Sequence, residues 1–132
     1  MAQILDGKNI AKKIHAKTAQ LVAELKDKGI TVKLAVILVG DDPASSLYVK
    51  KKGQAAKKVG MEFELHTYPS SITQEALKLE IKEIQKDSQL SGIIIQLPVP
   101  DDFYPGILDV VEPRLDVDCL TDDNLGKLVM NT

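Results

Sequence analysis

The sequence predicts a three-layer α/β/α domain built on a mostly parallel sheet, and three observations carry that prediction. Segments of helical periodicity alternate with segments of strand length, two of the strands are continuous apolar runs, and short punctuation without repeats separates the elements. Continuous apolar strands need cover on both faces, as a parallel sheet crossed by helices provides. A chain of 132 residues is the size of one domain, which buries about two thirds of the surface of its unfolded chain. One domain over 1–132 with one core is expected.

The elements follow in order. "GKNIAKKIHAKTAQLVAELKDKG" sets Ile10, Ile14, Ala16, Leu21, Val22 and Leu25 mostly at helical spacing and stops at Gly29, which suits a C-terminal cap. "KLAVILVG" is a strand buried on both faces, closing at Gly40. Asp42 before Pro43 reads as an N-cap with proline at the first helical position, so a helix is predicted from there to about Val59, ahead of Gly60. "MEFELHTY" alternates Phe63 and Leu65 with Glu62, Glu64 and His66, as a strand with one wetter face. "SITQEALKLEIKEIQKDS" is a further amphipathic helix, capped by Ser71 or Thr73. "GIIIQLPVP" is the second doubly buried strand, ending at Gln96 before two prolines. Joined by right-handed crossovers, these make an open sheet whose ligands lie beyond the carboxyl ends of the strands. That points to "GDDPASS" and to Gln96, Leu97 and Pro98.

Charge and composition exclude several partners. A net charge of −2 and a pI near 5.7 offer no general field for nucleic acid or an anionic membrane. No apolar run is long enough to span a bilayer, and "MAQILDGKNIAKKIHAK" lacks the apolar core and cleavage site of a secretory signal, so a cytoplasmic protein is expected. The single Cys119 forms neither an internal disulfide nor a multi-cysteine metal site, and no metal is expected.

The stretch "YVKKKGQAAKKVG" holds five lysines. At about 100° per residue, Tyr48, Lys52, Ala55, Ala56 and Val59 fall along one apolar stripe, Lys50 and Lys57 point away, and Lys51 and Lys58 lie on the flank. Lys52 is therefore the odd one. Such a lysine either runs its stem along apolar surface to reach water, or lines a cleft where partial desolvation suits it to acid-base work. Tyr48, one turn earlier, would share that cleft. Gln96 at a buried strand end either satisfies backbone or orients a neighbour without adding charge. In "DVDCL" the carboxylates of Asp116 and Asp118 read as a cap and a solvated charge, or as an acceptor for the paired N–H groups of a heterocycle. Ser45 reads as a first-turn residue serving free amides.

Taken together, "ILDGK", "VGDDPASSLYVKKK", "GIIIQLPVP" and "DVDCLTDDNLGKL" resemble, in order and spacing over nearly the whole chain, the bifunctional methylenetetrahydrofolate dehydrogenase/methenyltetrahydrofolate cyclohydrolase family. The resemblance implies an enzyme that oxidises 5,10-methylenetetrahydrofolate with NADP or NAD and hydrolyses the methenyl product to 10-formyltetrahydrofolate. It makes Lys52 the catalytic lysine, Gln96 the amide that orients it, Tyr48 the aromatic partner over the folate and Asp118 the pterin anchor. Ser45, Leu97 and Pro98 become supporting substrate contacts. It also implies a homodimer and a separate nucleotide-binding domain.

Three departures qualify the match. The family usually has glycine where Cys119 stands, and a second lysine where Gln54 stands, here preceded by Gly53. No GxGxxG occurs, and "GDDPAS" would face a phosphate with two carboxylates, so no dinucleotide site and no Rossmann domain is expected within the 132 residues. The chain then reads as the folate domain without its NAD(P)-binding partner. A non-catalytic folate-binding or assembly module is the second reading. A phosphorelay receiver is the third, weakened by Gln96 where an aspartate would be needed. Neither histidine sits in a motif, and both His15 and His66 read as surface residues.

Overall fold

The computed structural model describes residues 6–131, so Ile4 and Leu5 of the "ILDGK" segment lie outside the described residues. The elements are α1 (Gly7–Asp27), β1 (Lys33–Val39), α2 (Pro43–Lys58), β2 (Glu62–Tyr68), α3 (Gln74–Ile84), β3 (Leu90–Ile95), a short 3-10 helix (Leu108–Val110) and α4 (Asp122–Met130). Each α-helix starts where a side-chain oxygen meets a free amide. Asp6, Asp42, Thr73 and Thr121 accept from the backbone N–H of Asn9, Ser45, Ala76 and Asn124 respectively. α1 and α2 are followed by glycines in the left-handed region, Gly29 at φ 76° and Gly60 at φ 87°, and α4 ends at Asn131 with φ 56°.

The three strands form one parallel sheet in the order β2-β1-β3. On one face Val36, Leu38 and Ile94 pack with Val49 of α2; on the other Ala35, Ile37, Val39, Ile93 and Ile95 pack with Leu77 and Ile81 of α3 and with Phe103, Ile107 and Leu108. The chain therefore crosses from β1 to β2 over one face and from β2 to β3 in the opposite direction over the other, which gives both crossovers the same hand. Beyond β3, Ile93 N–H donates to Leu115 O at 2.7 Å and Ile93 pairs in parallel with Asp116, adding a short bridged edge. Gly92 makes room for it, since a Cβ there would stand 2.5 Å from Val117 Cγ1. Buried Gln85 ties α3 to the 3-10 segment, donating to Val110 O and accepting from Glu112 N–H.

Three expectations are corrected. β2 is an edge strand, and its faces are less distinct than the alternation suggests. Leu65 is 46% exposed, while Glu64 and His66 are half-buried on the α3 side. The cause is an ion cluster. Lys33 reaches Asp87 at 2.8 Å and Glu64 at 3.0 Å, with Glu62 at 3.9 Å. Hydrogen bonds donated by Lys33 to Asp87 and Glu64 push its ammonium well above its ordinary range and hold Asp87 below its own.

His66, expected as a surface residue, is half-buried, with its Nε2 shielded from solvent and without a hydrogen bond among the described residues, 3.5 Å from Glu64 Oε2. His15 is likewise half-buried, in an open groove of about 540 Å³ between α1 and the end of α2. Of the apolar stripe on α1 only Val22 is buried, and Ile10, Ile14 and Leu21 stay exposed, because α1 leans on the end of α2 rather than on the sheet.

Candidate functional site

After β1 the chain leaves toward the α2 face, and after β3 it leaves toward the α3 face. Two adjacent parallel strands whose continuations part in this way open a crevice at their carboxyl ends. Gln96 stands there, its backbone N–H donating to Ile37 O at 2.8 Å. Its side chain turns to the α2 side, where Oε1 accepts from Lys52 Nζ at 3.0 Å. The amide Nε2 of Gln96 donates to Leu97 O at 2.8 Å. Because that carbonyl can only accept, the amide has one sensible orientation, oxygen toward the lysine.

Lys52 is the one lysine of the five on α2 that is half-buried; Lys50, Lys51, Lys57 and Lys58 are exposed. Its position differs in detail from the expected stripe. The face that α2 turns to the sheet is Ser45, Val49, Gly53 and Ala56, all buried, so the helix is rotated by about one residue. Tyr48 is thereby 60% exposed, and Lys51 Nζ lies 5.9 Å from its ring centroid. The rotation has a steric cause. A Cβ at residue 53 would lie 2.8 Å from the Phe63 ring, so glycine lets α2 settle onto β2 and its small residues go underneath. Lys52 is left at the margin of that contact, with its stem beside Leu34, Ala55, Ala56 and Met61 along an open groove of about 230 Å³.

The structure separates the two aspartates of "DVDCL" by role. Asp116 accepts from Leu120 N–H, Thr121 N–H, the Thr121 hydroxyl and Asn124 Nδ2 at 3.1, 2.9, 2.7 and 3.0 Å. Burial pushes its carboxyl up, but these bonds outweigh burial and bring it down to about 2. Asp118 takes none of those bonds and is exposed, and Cys119 beyond it has φ 57°.

The structure thus brings Lys52, Gln96 and Leu97 together by direct hydrogen bonds. It sets Tyr48 on the solvent side one turn before Lys52. Ser45 is buried against the sheet with its N–H on Asp42 Oδ2 at 2.7 Å, and Pro98 is exposed. No bond links Asp118 to this group among the described residues. Thr121, buried and bonded to Asp116 while capping α4, escaped the sequence reading. The threonine followed by two acidic residues in "TDDN" was the available cue. Among the described residues no group of three or more His, Cys, Asp or Glu could hold a metal ion, and no helix is long and apolar enough to cross a membrane.

Comparison with known proteins adds the following. The pattern of a family described as "Tetrahydrofolate dehydrogenase/cyclohydrolase, catalytic domain" matches residues 5–118. The bifunctional protein FolD of Nautilia profundicola is 48% identical over 127 residues, which are 96% of this chain and 45% of that protein. The crystal structure of bifunctional FolD from Campylobacter jejuni is 38% identical with a TM-score of 0.94, covering 97% of this chain and 46% of that one. The methylenetetrahydrofolate dehydrogenase-cyclohydrolase of Trypanosoma brucei, solved with NADP and an inhibitor, is 32% identical with a TM-score of 0.90, over 96% of this chain and 44% of that one. The chain therefore spans about half the length of the relatives it matches.

Proposed function

This chain belongs to the tetrahydrofolate dehydrogenase/cyclohydrolase family as its catalytic domain, and from that membership we propose that it carries the folate-binding and acid-base residues of a one-carbon enzyme. The whole enzyme oxidises 5,10-methylenetetrahydrofolate with NADP or NAD and hydrolyses the methenyl product to 10-formyltetrahydrofolate. The observation that carries the reading is the hydrogen bond from Lys52 Nζ to Gln96 Oε1 at 3.0 Å.

The neutral amide of Gln96 orients the Lys52 nitrogen without adding a charge to the site. The methenyl carbon is an electrophile in a cationic amidinium-like unit. Hydrolysis needs a water directed at it and a group that takes the water's proton, and Lys52 serves as that group. Tyr48, exposed one turn before it, offers a stacking face for a flat ring. Asp118, exposed and without an internal bond among the described residues, accepts the paired N–H donors of a pterin edge.

A dinucleotide finds no matching place at the start of α2, where the Asp42 carboxylate already caps the amides and Asp41 stands beside it. NADP or NAD is accordingly assigned to a nucleotide domain outside these residues, the partner of this one in a cytoplasmic, homodimeric enzyme.

The test follows loss of methenyltetrahydrofolate absorbance with the 132-residue chain. Hydrolysis above background is expected, with Lys52→Ala slower by about two orders of magnitude and Lys51→Ala close to the parent. No reduction of NADP or NAD is expected from the methylene compound. Hydrolysis insensitive to Lys52→Ala would reject the assignment. Tetrahydrofolate binding without any turnover would favour a non-catalytic folate module instead.

A further inference from the structure

The two carboxylates of "DVD" have opposite surroundings, Asp116 bonded to its neighbours and Asp118 exposed. Asp116 joins three pieces of chain. Its backbone is bridged to Ile93 of β3, Oδ2 accepts from Thr121 N–H, the Thr121 hydroxyl and Asn124 Nδ2, and Oδ1 accepts from Leu120 N–H. Asn124 Nδ2 also donates to Pro113 O at 2.8 Å, so the start of α4 is tied to both sides of the segment. Between these anchors only Val117, Asp118 and Cys119 are left, and Cys119 takes the left-handed φ of 57° that a non-glycine residue adopts only when its surroundings impose it. The turn would relax without that imposition.

We propose that Asp116 is a positioning residue for the folate site, holding the 117–120 turn so that the exposed Asp118 carboxylate is presented to the ligand. The part of this inference that concerns folate rests on the proposed role of Asp118; the part that concerns the turn does not. Asp116→Asn replaces one acceptor oxygen by an amide that points N–H at N–H. The neighbouring donors are then unmet while the bridge to β3 and the strand order need not change.

Two readouts separate the parts. Cys119 is the chain's single cysteine, so its alkylation by iodoacetamide reports the turn alone. Asp116→Asn is expected to speed it about tenfold, the factor for losing roughly one hydrogen bond, and Thr121→Val, a milder variant that keeps the carboxylate, by less. The second readout is tetrahydrofolate affinity by calorimetry in a double-mutant cycle. Asp116→Asn should weaken binding about tenfold in the parent and less than about twofold in an Asp118→Ala background, because its action runs through Asp118. Equal weakening in both backgrounds, or an unchanged alkylation rate in both Asp116→Asn and Thr121→Val, overturns the proposal. If Asp118→Ala alone leaves tetrahydrofolate binding intact, the folate reading of Asp118 falls, and faster alkylation still assigns the turn to Asp116.

Discussion

Asp116 and Asp118 are two residues apart and chemically identical, yet one accepts four hydrogen bonds and the other is exposed. The free one is the candidate ligand. Asp118→Asn turns one acceptor oxygen into a donor, and loss of a charge-assisted bond should weaken tetrahydrofolate binding by about 1.5–3 kcal/mol. Calorimetry checks this, and unchanged affinity would remove Asp118 from the site.

Its neighbour Cys119 holds φ 57°, a region that costs an L-residue with a Cβ roughly 1–2 kcal/mol. Cys119→Gly removes that cost but adds backbone freedom to the unfolded chain, so a net gain of about 0.5–1 kcal/mol is expected. Urea unfolding at neutral pH measures it; a loss of stability would mean that the thiol's packing outweighs the backbone. The conformation was legible from the family's usual glycine at this position, but the consequence for Asp118 was not. Only the bonds around Asp116 show why the turn is held.

Helix α2 was readable in its limits and caps, since Asp42, Pro43 and Gly60 act locally. Its rotation was not readable, because Gly53 carries no hydrophobic signal while the contact that matters is with Phe63 on another element. Gly53→Ala tests that contact. Helix propensity alone favours alanine by about 1 kcal/mol, but a Cβ 2.8 Å from the Phe63 ring forces ring and helix apart, and overpacking costs about 1–3 kcal/mol. A net destabilisation of about 1 kcal/mol is therefore expected, together with slower methenyl hydrolysis as Lys52 shifts relative to Gln96. Phe63→Leu in the same chain should recover part of both. Thermal melts and the absorbance assay decide, and stabilisation by alanine would show that the helix stands off the sheet. β2 illustrates the same limit. Its alternation was visible, but edge position and the pull of Lys33 on Glu64 exchanged part of its wet and dry faces.

For the molecule as a whole, Asp116 links the edge of the sheet to α4, so its charge matters to global stability. Against burial, its hydrogen bonds lower its carboxyl from 3.8 to about 2. The unfolded chain therefore takes up the proton first. The stabilisation is complete above about pH 4 and is lost as pH falls toward about 2. Asp42 and Asp87, also held low, act in the same direction. Melting temperature is expected to fall less steeply over that interval in Asp116→Asn than in the parent. Parallel profiles would mean that Asp116 makes no differential contribution.

What the sequence by itself determined is the order and type of the elements from α1 to β3, the cap at Asp42 and the stops at Gly29 and Gly60, and Lys52 as the odd lysine on its helix. Those properties depend on spacing within one element and on side chains acting on their own backbone. Tertiary structure alone decided how far α2 rotates, which face of β2 is dry, and which aspartate is left free. Each of these follows from contacts between residues distant in sequence, Gly53 with Phe63, Lys33 with Glu64 and Asp87, Ile93 with Asp116. Close packing sets helix rotation and strand cover through the neighbour's shape and charge, which a period counted along one segment does not contain.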